Sequence, residues 1–285
     1  MISPVAVSAT KKVVSSKDLS VPDSLARALR RADDFIRLAV VSAKSVIDLA
    51  PSRQLLPEQI GTFMGTAYGP IETSFRFLDT LIDDGERQAS PTLFSHSVHN
   101  AAAGYVARLL DIQGPALTMT SFSWPFLTAI SEARLAVDSG RVRRALVLGI
   151  EANSPVLEDA CRQLQGNKAV SWQPGAVAWV LDTVDQAGRY AVLLEDTVLT
   201  EIPCNPDVFL TRTGEAWNMD GSIPRGSRHP MAYAYALTDA VSRLRYSSQN
   251  IIKWTITAPF GQAQLTLRNR DFDKQGKLRE IVGQY

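Results

Sequence analysis

The sequence predicts an α/β fold in which a predominantly parallel sheet is covered by helical crossovers. Two observations carry this. Short apolar runs of strand length alternate with longer stretches of helical periodicity, and the breaks between them fall on Gly, Pro and Asp. The run PVAVSAT, residues 4–10, reads as a short first strand. Pro22-Asp23 opens a helical stretch, proline being tolerated in a first turn. From Asp33 to Ala50 the apolar positions Phe35, Leu38, Ala39, Val46 and Leu49 recur at helical spacing, and Pro51 and Pro57 end the run. Ile60 to Thr66 is a strand entering a turn, with Gly61, Gly65 and Gly69 spaced four apart. The helix Glu72–Ile82 follows and stops at Asp83-Asp84-Gly85.

Gln88 to Ser95 reads as a loop, and Val98 to Leu110 as a helix rich in small residues (Ala101, Ala102, Ala103, Gly104) that lets another backbone approach. Gly114-Pro115 punctuates. Ala116 to Ser121 alternates as a strand and breaks at Ser123-Trp124-Pro125. The helix Phe126–Val137 ends at Gly140, and Ala145 to Ile150 is a buried parallel strand closing on Glu151. Gly175–Leu181 and Tyr190–Leu199 are further strands. Residues 201–228 are rich in Pro, Gly, Asn and Asp and read as a long loop. A helix, Met231–Leu244, and two strands, Ile251–Ala258 and Gln262–Leu267, precede a charged tail.

The 285 residues suffice for one large domain or two smaller ones. Thirty basic against 29 acidic residues leave a net charge of +1, so no strong field is available to hold a nucleic acid or an anionic membrane. Cys161 and Cys204 are too few for a disulfide framework and fit no metal motif, so they read as reduced structural thiols. No apolar run approaches the ~20 residues of a membrane span. The opening MISPVAVSATKK is too short and polar for a signal peptide, and the expected location is cytoplasmic.

The stretch from Ser90 to Asn153 is the most informative. It holds Ser90-Pro91, then Asn100 to Gly104, then GPALTMTSFSWP, a helix, and RALVLGIEAN. In that order it resembles the N-terminal half of β-ketoacyl-acyl-carrier-protein synthases. FIRLAVVSAKSVIDLA upstream and GAVAWVLDTVDQA downstream are similar to that family's first long helix and to the strand closing its first half. The resemblance implies a thiolase-like layered αβαβα fold, with a ketosynthase-like half over 1–190 and an abbreviated second half over 191–285. It places the family's nucleophilic cysteine on Ser123, between Phe122 and Trp124.

That substitution removes the chemistry. A helix N-terminus lowers a thiol's pKa and stabilises an oxyanion, whereas a serine hydroxyl without a base is not activated by a dipole alone. The indole of Trp124 crowds the acyl site, and Pro125 removes an N–H. The family's two histidines of the second half are not both present either: His96 and His99 lie in the first half, leaving His229. TAPFGQAQLTL resembles the family's closing turn and last strand. Among members, a shortened copy without a nucleophile most resembles the chain-length-factor subunits of aryl polyene and related reducing type II polyketide pathways.

The expectation is therefore a non-catalytic partner of an active ketosynthase, needing no cofactor and no metal, in a heterodimer elongating a polyketide or fatty-acyl chain carried by an acyl carrier protein. Carried over by position, Thr92, Leu93, His96 and Asn100 lie near the acyl tunnel at the interface, and the strand from Leu117 through Met119 to Ser121 pairs with its counterpart in the partner.

Other readings compete. Ser123 as the nucleophile of an acyltransferase or hydrolase needs a His and a carboxylate, but its surroundings are not Gly-x-Ser-x-Gly. A decarboxylating initiator carries glutamine at that position. His96 and His99 lack a third metal ligand, the glycines at 61, 65 and 69 lack a phosphate-binding lysine, and Glu151 reads as structural. A pure scaffold for the ketosynthase is a further alternative, separable from a chain-length role by product length after resizing Leu93 or His96.

Overall fold

The computed structural model describes residues 4–14, 19–122, 124–165, 174–188, 191–201, 218–219, 231–246, 250–258 and 261–270. Nine strands form one sheet: β1 (Val5–Val13), β2 (Ile60–Thr66), β3 (Ala116–Thr120), β4 (Arg144–Glu151), β5 (Gly175–Asp182), β6 (Val192–Glu201), β7 (Asn218–Met219), β8 (Ile251–Ala258) and β9 (Gly261–Asn269). Their order is β3-β2-β4-β5-β1-β6-β9-β8-β7. The helices are α1 (Asp23–Ala26), α2 (Asp34–Leu49), α3 (Ile71–Asp83), α4 (Pro91–Ser97), α5 (Ala101–Leu109), α6 (Pro125–Asp138), α7 (Pro155–Gln165) and α8 (Ala232–Tyr246).

Helices lie on two faces of this sheet. On the outer face of the first half, α2 packs against α5, β1, β4 and β5. Its N-terminus is fixed by Asp33, whose carboxylate accepts from the Ile36 N–H at 2.9 Å and from the Thr73 hydroxyl at 2.6 Å. On the other face α6 covers β2 and β4 while α8 covers β8 and β9, and both feed one core with the inward side chains of β6 and β9. Trp179 of β5 ties the two together: its ring meets Phe126 edge-on at 5.4 Å and its Nε1–H donates to the Thr238 hydroxyl of α8 at 2.9 Å. Strands β4 and β5 are buried along their whole length, as strands covered on both faces must be.

Directly opposite each other on those strands, Arg144 and Asp182 form a bidentate ion pair at 2.7 and 3.0 Å, both buried. Arg144 also donates to the Pro51 carbonyl at 3.0 Å. Each charge thus has its partner inside the protein, the condition for tolerating it there.

Two expectations need correction. The sheet is not predominantly parallel: β2 runs parallel to β3 and β4, and every other pairing is antiparallel. A doubly buried strand reads as a plain apolar run whichever way it points, so the sequence carried no directional signal for β5. The segment Gln88–Ser95 is not a loop throughout, because α4 starts at Pro91 with Ser90 as its N-cap, its hydroxyl accepting from the Leu93 N–H at 3.3 Å. Helix α7 had no counterpart in the sequence reading. Of the long loop at 201–228, only Glu201 and the short β7 fall among the described residues; Cys204, His229 and the last fifteen residues lie outside them.

Candidate functional site

The turn between β3 and α6 is built from β2 outward. Strand β3 lies at the sheet edge, parallel to β2, and its continuation is held by the Ser121 N–H donating to the Thr66 carbonyl at 3.2 Å. Phe122 is exposed and its ring leans on Tyr68 at 5.4 Å. Ser123 itself lies outside the described residues. Trp124 is the N-cap of α6 with no side-chain cap bond, its indole buried in the core, and Pro125 occupies the first helical position. Helix α6 sits so close to β2 that a Cβ at Gly65 would fall 2.1 Å from the Pro125 carbonyl oxygen, which makes glycine obligatory there.

The α6 N-terminus is already engaged. The Phe126 N–H donates to the Tyr233 hydroxyl of α8 at 2.9 Å. Tyr233 is buried, and desolvation raises its pKa, so the hydroxyl stays neutral. An amide that a helix start would otherwise offer to an anion therefore has a neutral oxygen on it. The sequence reading missed Tyr233; its mark was an aromatic in the small-residue run Ala232 to Ala236.

Beside this turn, Glu151 is completely buried. Its carboxylate accepts from the Ala67 N–H, from the Tyr68 N–H at 3.3 Å and from the Thr66 hydroxyl at 3.3 Å. Burial pushes its pKa up to about 8, against the pull of those three donors. The result clamps the turn after β2, where Gly69 adopts φ +59° against the His99 ring. This geometry is that of the structural glutamate the sequence suggested.

The positions expected at a tunnel or interface divide. Thr92 and Asn100 are exposed, Leu93 is half-buried, and Leu117 is exposed on the edge strand. Met119 is half-buried against the core beneath α6. His96 instead turns inward: it is buried and its Nε2 lies 3.0 Å from the Tyr105 hydroxyl, with the Arg108 guanidinium 4.8 Å above that ring. His99 is exposed, so the two histidines do not converge. Among the described residues no group of three or more His, Cys, Asp or Glu is placed to hold a metal, and no helix is long and apolar enough to cross a membrane.

Several large apolar side chains are exposed on this half of the chain. Phe75, Leu78 and Ile82 of α3, Phe94 and Val98 on and after α4, Leu117 and Phe122 are all exposed. An exposed strand edge is able to pair with a further strand. The sequence reading did not pick out Phe94 or the α3 side chains, although Phe75, Leu78 and Ile82 sit at helical spacing.

Comparison with known proteins agrees with this geometry. The model of the β-ketoacyl synthase N-terminal domain matches residues 6–171. A 3-oxoacyl-[acyl-carrier-protein] synthase 2 of Staphylococcus aureus is 24% identical over 245 residues, covering 79% of this chain and 59% of the relative; the chain thus spans less than two thirds of that protein's length. Among solved structures, one described as the ishigamide ketosynthase/chain length factor superposes with a TM-score of 0.68 at 16% identity, covering 89% of this chain and 84% of that one. A type II polyketide acyl-carrier protein in complex with its ketosynthase, AntDE:AntF, gives 0.72 at 16% identity, covering 94% of this chain and 100% of that one. These likenesses establish the thiolase-like fold.

Proposed function

The chain belongs to the β-ketoacyl synthase family, and from that premise we propose that it is a chain-length-factor-like partner subunit of an active ketosynthase, completing a heterodimer and bounding the acyl tunnel while carrying out no condensation itself. The observation that supports this most is the filled α6 N-terminus. Where the family displays a nucleophile, this chain has a buried indole at Trp124, a proline at 125 and the Tyr233 hydroxyl on the Phe126 amide. A thiolate would need that field and an open pocket beside it. Here the Phe126 amide is taken by the Tyr233 hydroxyl, and the sequence has serine at 123.

In this reading the exposed edge of β3 pairs with the partner's sheet, and Thr92, Leu93, Phe94 and Leu117 face the partner. The subunit then acts by volume: side chains on α4 and β3 set where the growing chain, delivered by an acyl carrier protein, meets a wall. His96 is turned toward Tyr105, which makes Leu93 the better lever.

The test is co-expression with the ketosynthases of its own organism, followed by size-exclusion chromatography and product analysis. A co-eluting pair whose product shortens with Leu93→Trp and lengthens with Leu93→Ala supports the proposal. An unchanged product length with loss of the complex favours a scaffold. A stable lone chain with no affinity for any of those synthases, or one that becomes acylated on Ser123 and condenses malonyl units unaided, refutes it.

A further inference from the structure

Between the turns that follow α1 and the first turns of α2 lies a cavity of about 510 Å³. Its floor is apolar. Leu29 and Leu38 are buried members of the core under α2, not of the core under α6, and Leu19, Val21 and Pro174 form half-buried walls. A well-packed interior leaves few voids larger than a water molecule, whereas pockets for small organic molecules run from about 300 to 1,000 Å³. This space is of the second kind.

The rim carries hydrogen-bond donors. Arg30 is exposed and has no ion-pair partner among the described residues. Arg37 is held in place: its Nε donates to the Leu29 carbonyl at 3.3 Å and its Nη2 to the Arg30 carbonyl at 3.4 Å, with Asp34 3.5 Å from Nη1. Each of those Nη atoms keeps a second N–H. Asn153 is oriented as well, because its Oδ1 accepts from the Ser154 N–H at 2.8 Å, which leaves the amide nitrogen to donate. Two guanidiniums against the single carboxylate of Asp34 leave the rim with one positive charge in excess.

We propose that this cavity binds a small amphipathic carboxylate, its apolar body on Leu29 and Leu38 and its charged end among Arg30, Arg37 and Asn153. A guanidinium can take a carboxylate through two parallel N–H···O bonds, and one excess charge matches one anion. Asp34 sets the limit: a second negative charge on the ligand would meet its carboxylate, and a cationic ligand would meet two guanidiniums. The site draws on no residue of α4, β3 or the β3–α6 turn, so it stands apart from the heterodimer reading.

Isothermal titration calorimetry of the purified chain with decanoate, 1-decanol and decylamine tests it. Decanoate is expected to bind one to one, about tenfold or more tightly than either of the others. Arg30→Gln is expected to weaken decanoate about tenfold and to leave decanol unchanged. Ala26→Trp, which fills the cavity from an exposed position on its wall, is expected to abolish decanoate binding. Neither change removes a contact of the fold, so both variants should melt at the temperature of the unmodified chain when no ligand is present. Decanoate that binds no more tightly than decanol, or that binds Arg30→Gln as well as the unmodified chain, overturns the carboxylate assignment. Binding that survives Ala26→Trp in a folded variant, or no binding to the unmodified chain, overturns the site itself.

Discussion

Replacing Glu151 with glutamine tests how the turn after β2 is held. The folded protein moves this carboxyl from an ordinary 4.5 to about 8, chiefly because burial disfavours the anion. The folded pKa lies above the unfolded one. The contribution of this group to stability is thus fully present below about pH 4.5 and is lost as the pH rises toward 8. Across that window the unfolded chain has given up the proton that the folded chain keeps. At about 1.4 kcal/mol per pKa unit the gap from 4.5 to about 8 amounts to ~5 kcal/mol, comparable to the whole stability of a small domain. Glutamine removes the titration while its amide oxygen can still accept from the Ala67 N–H and the Thr66 hydroxyl; the bond from the Tyr68 N–H is lost, for about 1 kcal/mol. Urea unfolding at a series of pH values should show the unmodified protein weakening from about pH 5 to 8 relative to Glu151→Gln, with the two profiles running parallel above that range. Parallel profiles throughout would mean that the buried carboxyl is ionised already and that its three donors outweigh its burial.

Two further substitutions probe the scaffold around the turn. Gly65→Ala places a methyl 2.1 Å from the Pro125 carbonyl oxygen, so α6 must back away from β2; a loss of about 1–3 kcal/mol in chemical denaturation is expected, together with a changed Trp124 fluorescence, and an unperturbed spectrum would contradict the close approach. Arg144→Ala leaves Asp182 buried without its cation and should cost about 3–5 kcal/mol, while the double replacement Arg144→Met/Asp182→Leu should recover most of that loss; equal stabilities of the single and double variants would argue that the pair is hydrated.

Much of the fold was legible because strand and helix periods differ. The limits of β2 and β8 follow from their apolar runs, and α2 follows from its amphipathic spacing and the Asp33 cap. What stayed hidden has local causes. Ser90-Pro91 is an N-cap followed by a first-turn proline, and yet α4 is short and its polar residues suggest a loop. The direction of β5 is set by tertiary pairing between two long buried strands, and no local pattern encodes it. At the site, the structure places the Trp124 indole inside the core, while Ser123 lies outside the described residues. The hydrogen bond from Phe126 to Tyr233 spans 107 residues, a contact that only the fold brings about.

That long-range contact is one of several that tie the second part of the chain to the first. Helix α8 carries Tyr233 to the α6 amide and Thr238 to the Trp179 indole, and β6, β8 and β9 form the wall behind it. Side chains of these elements share one core with Trp124 and Phe126. On the outward side of the same wall Gln264 and Thr266 of β9 lie opposite the exposed Val198 and Asp196 of β6. If β3 pairs with a partner sheet as proposed above, the firmness with which this half holds α6 and β3 bears on the assembly, since a displaced edge strand loses its register. By that reasoning, substitutions in the α8 core weaken the assembly through β3, at a distance from any surface the partner touches.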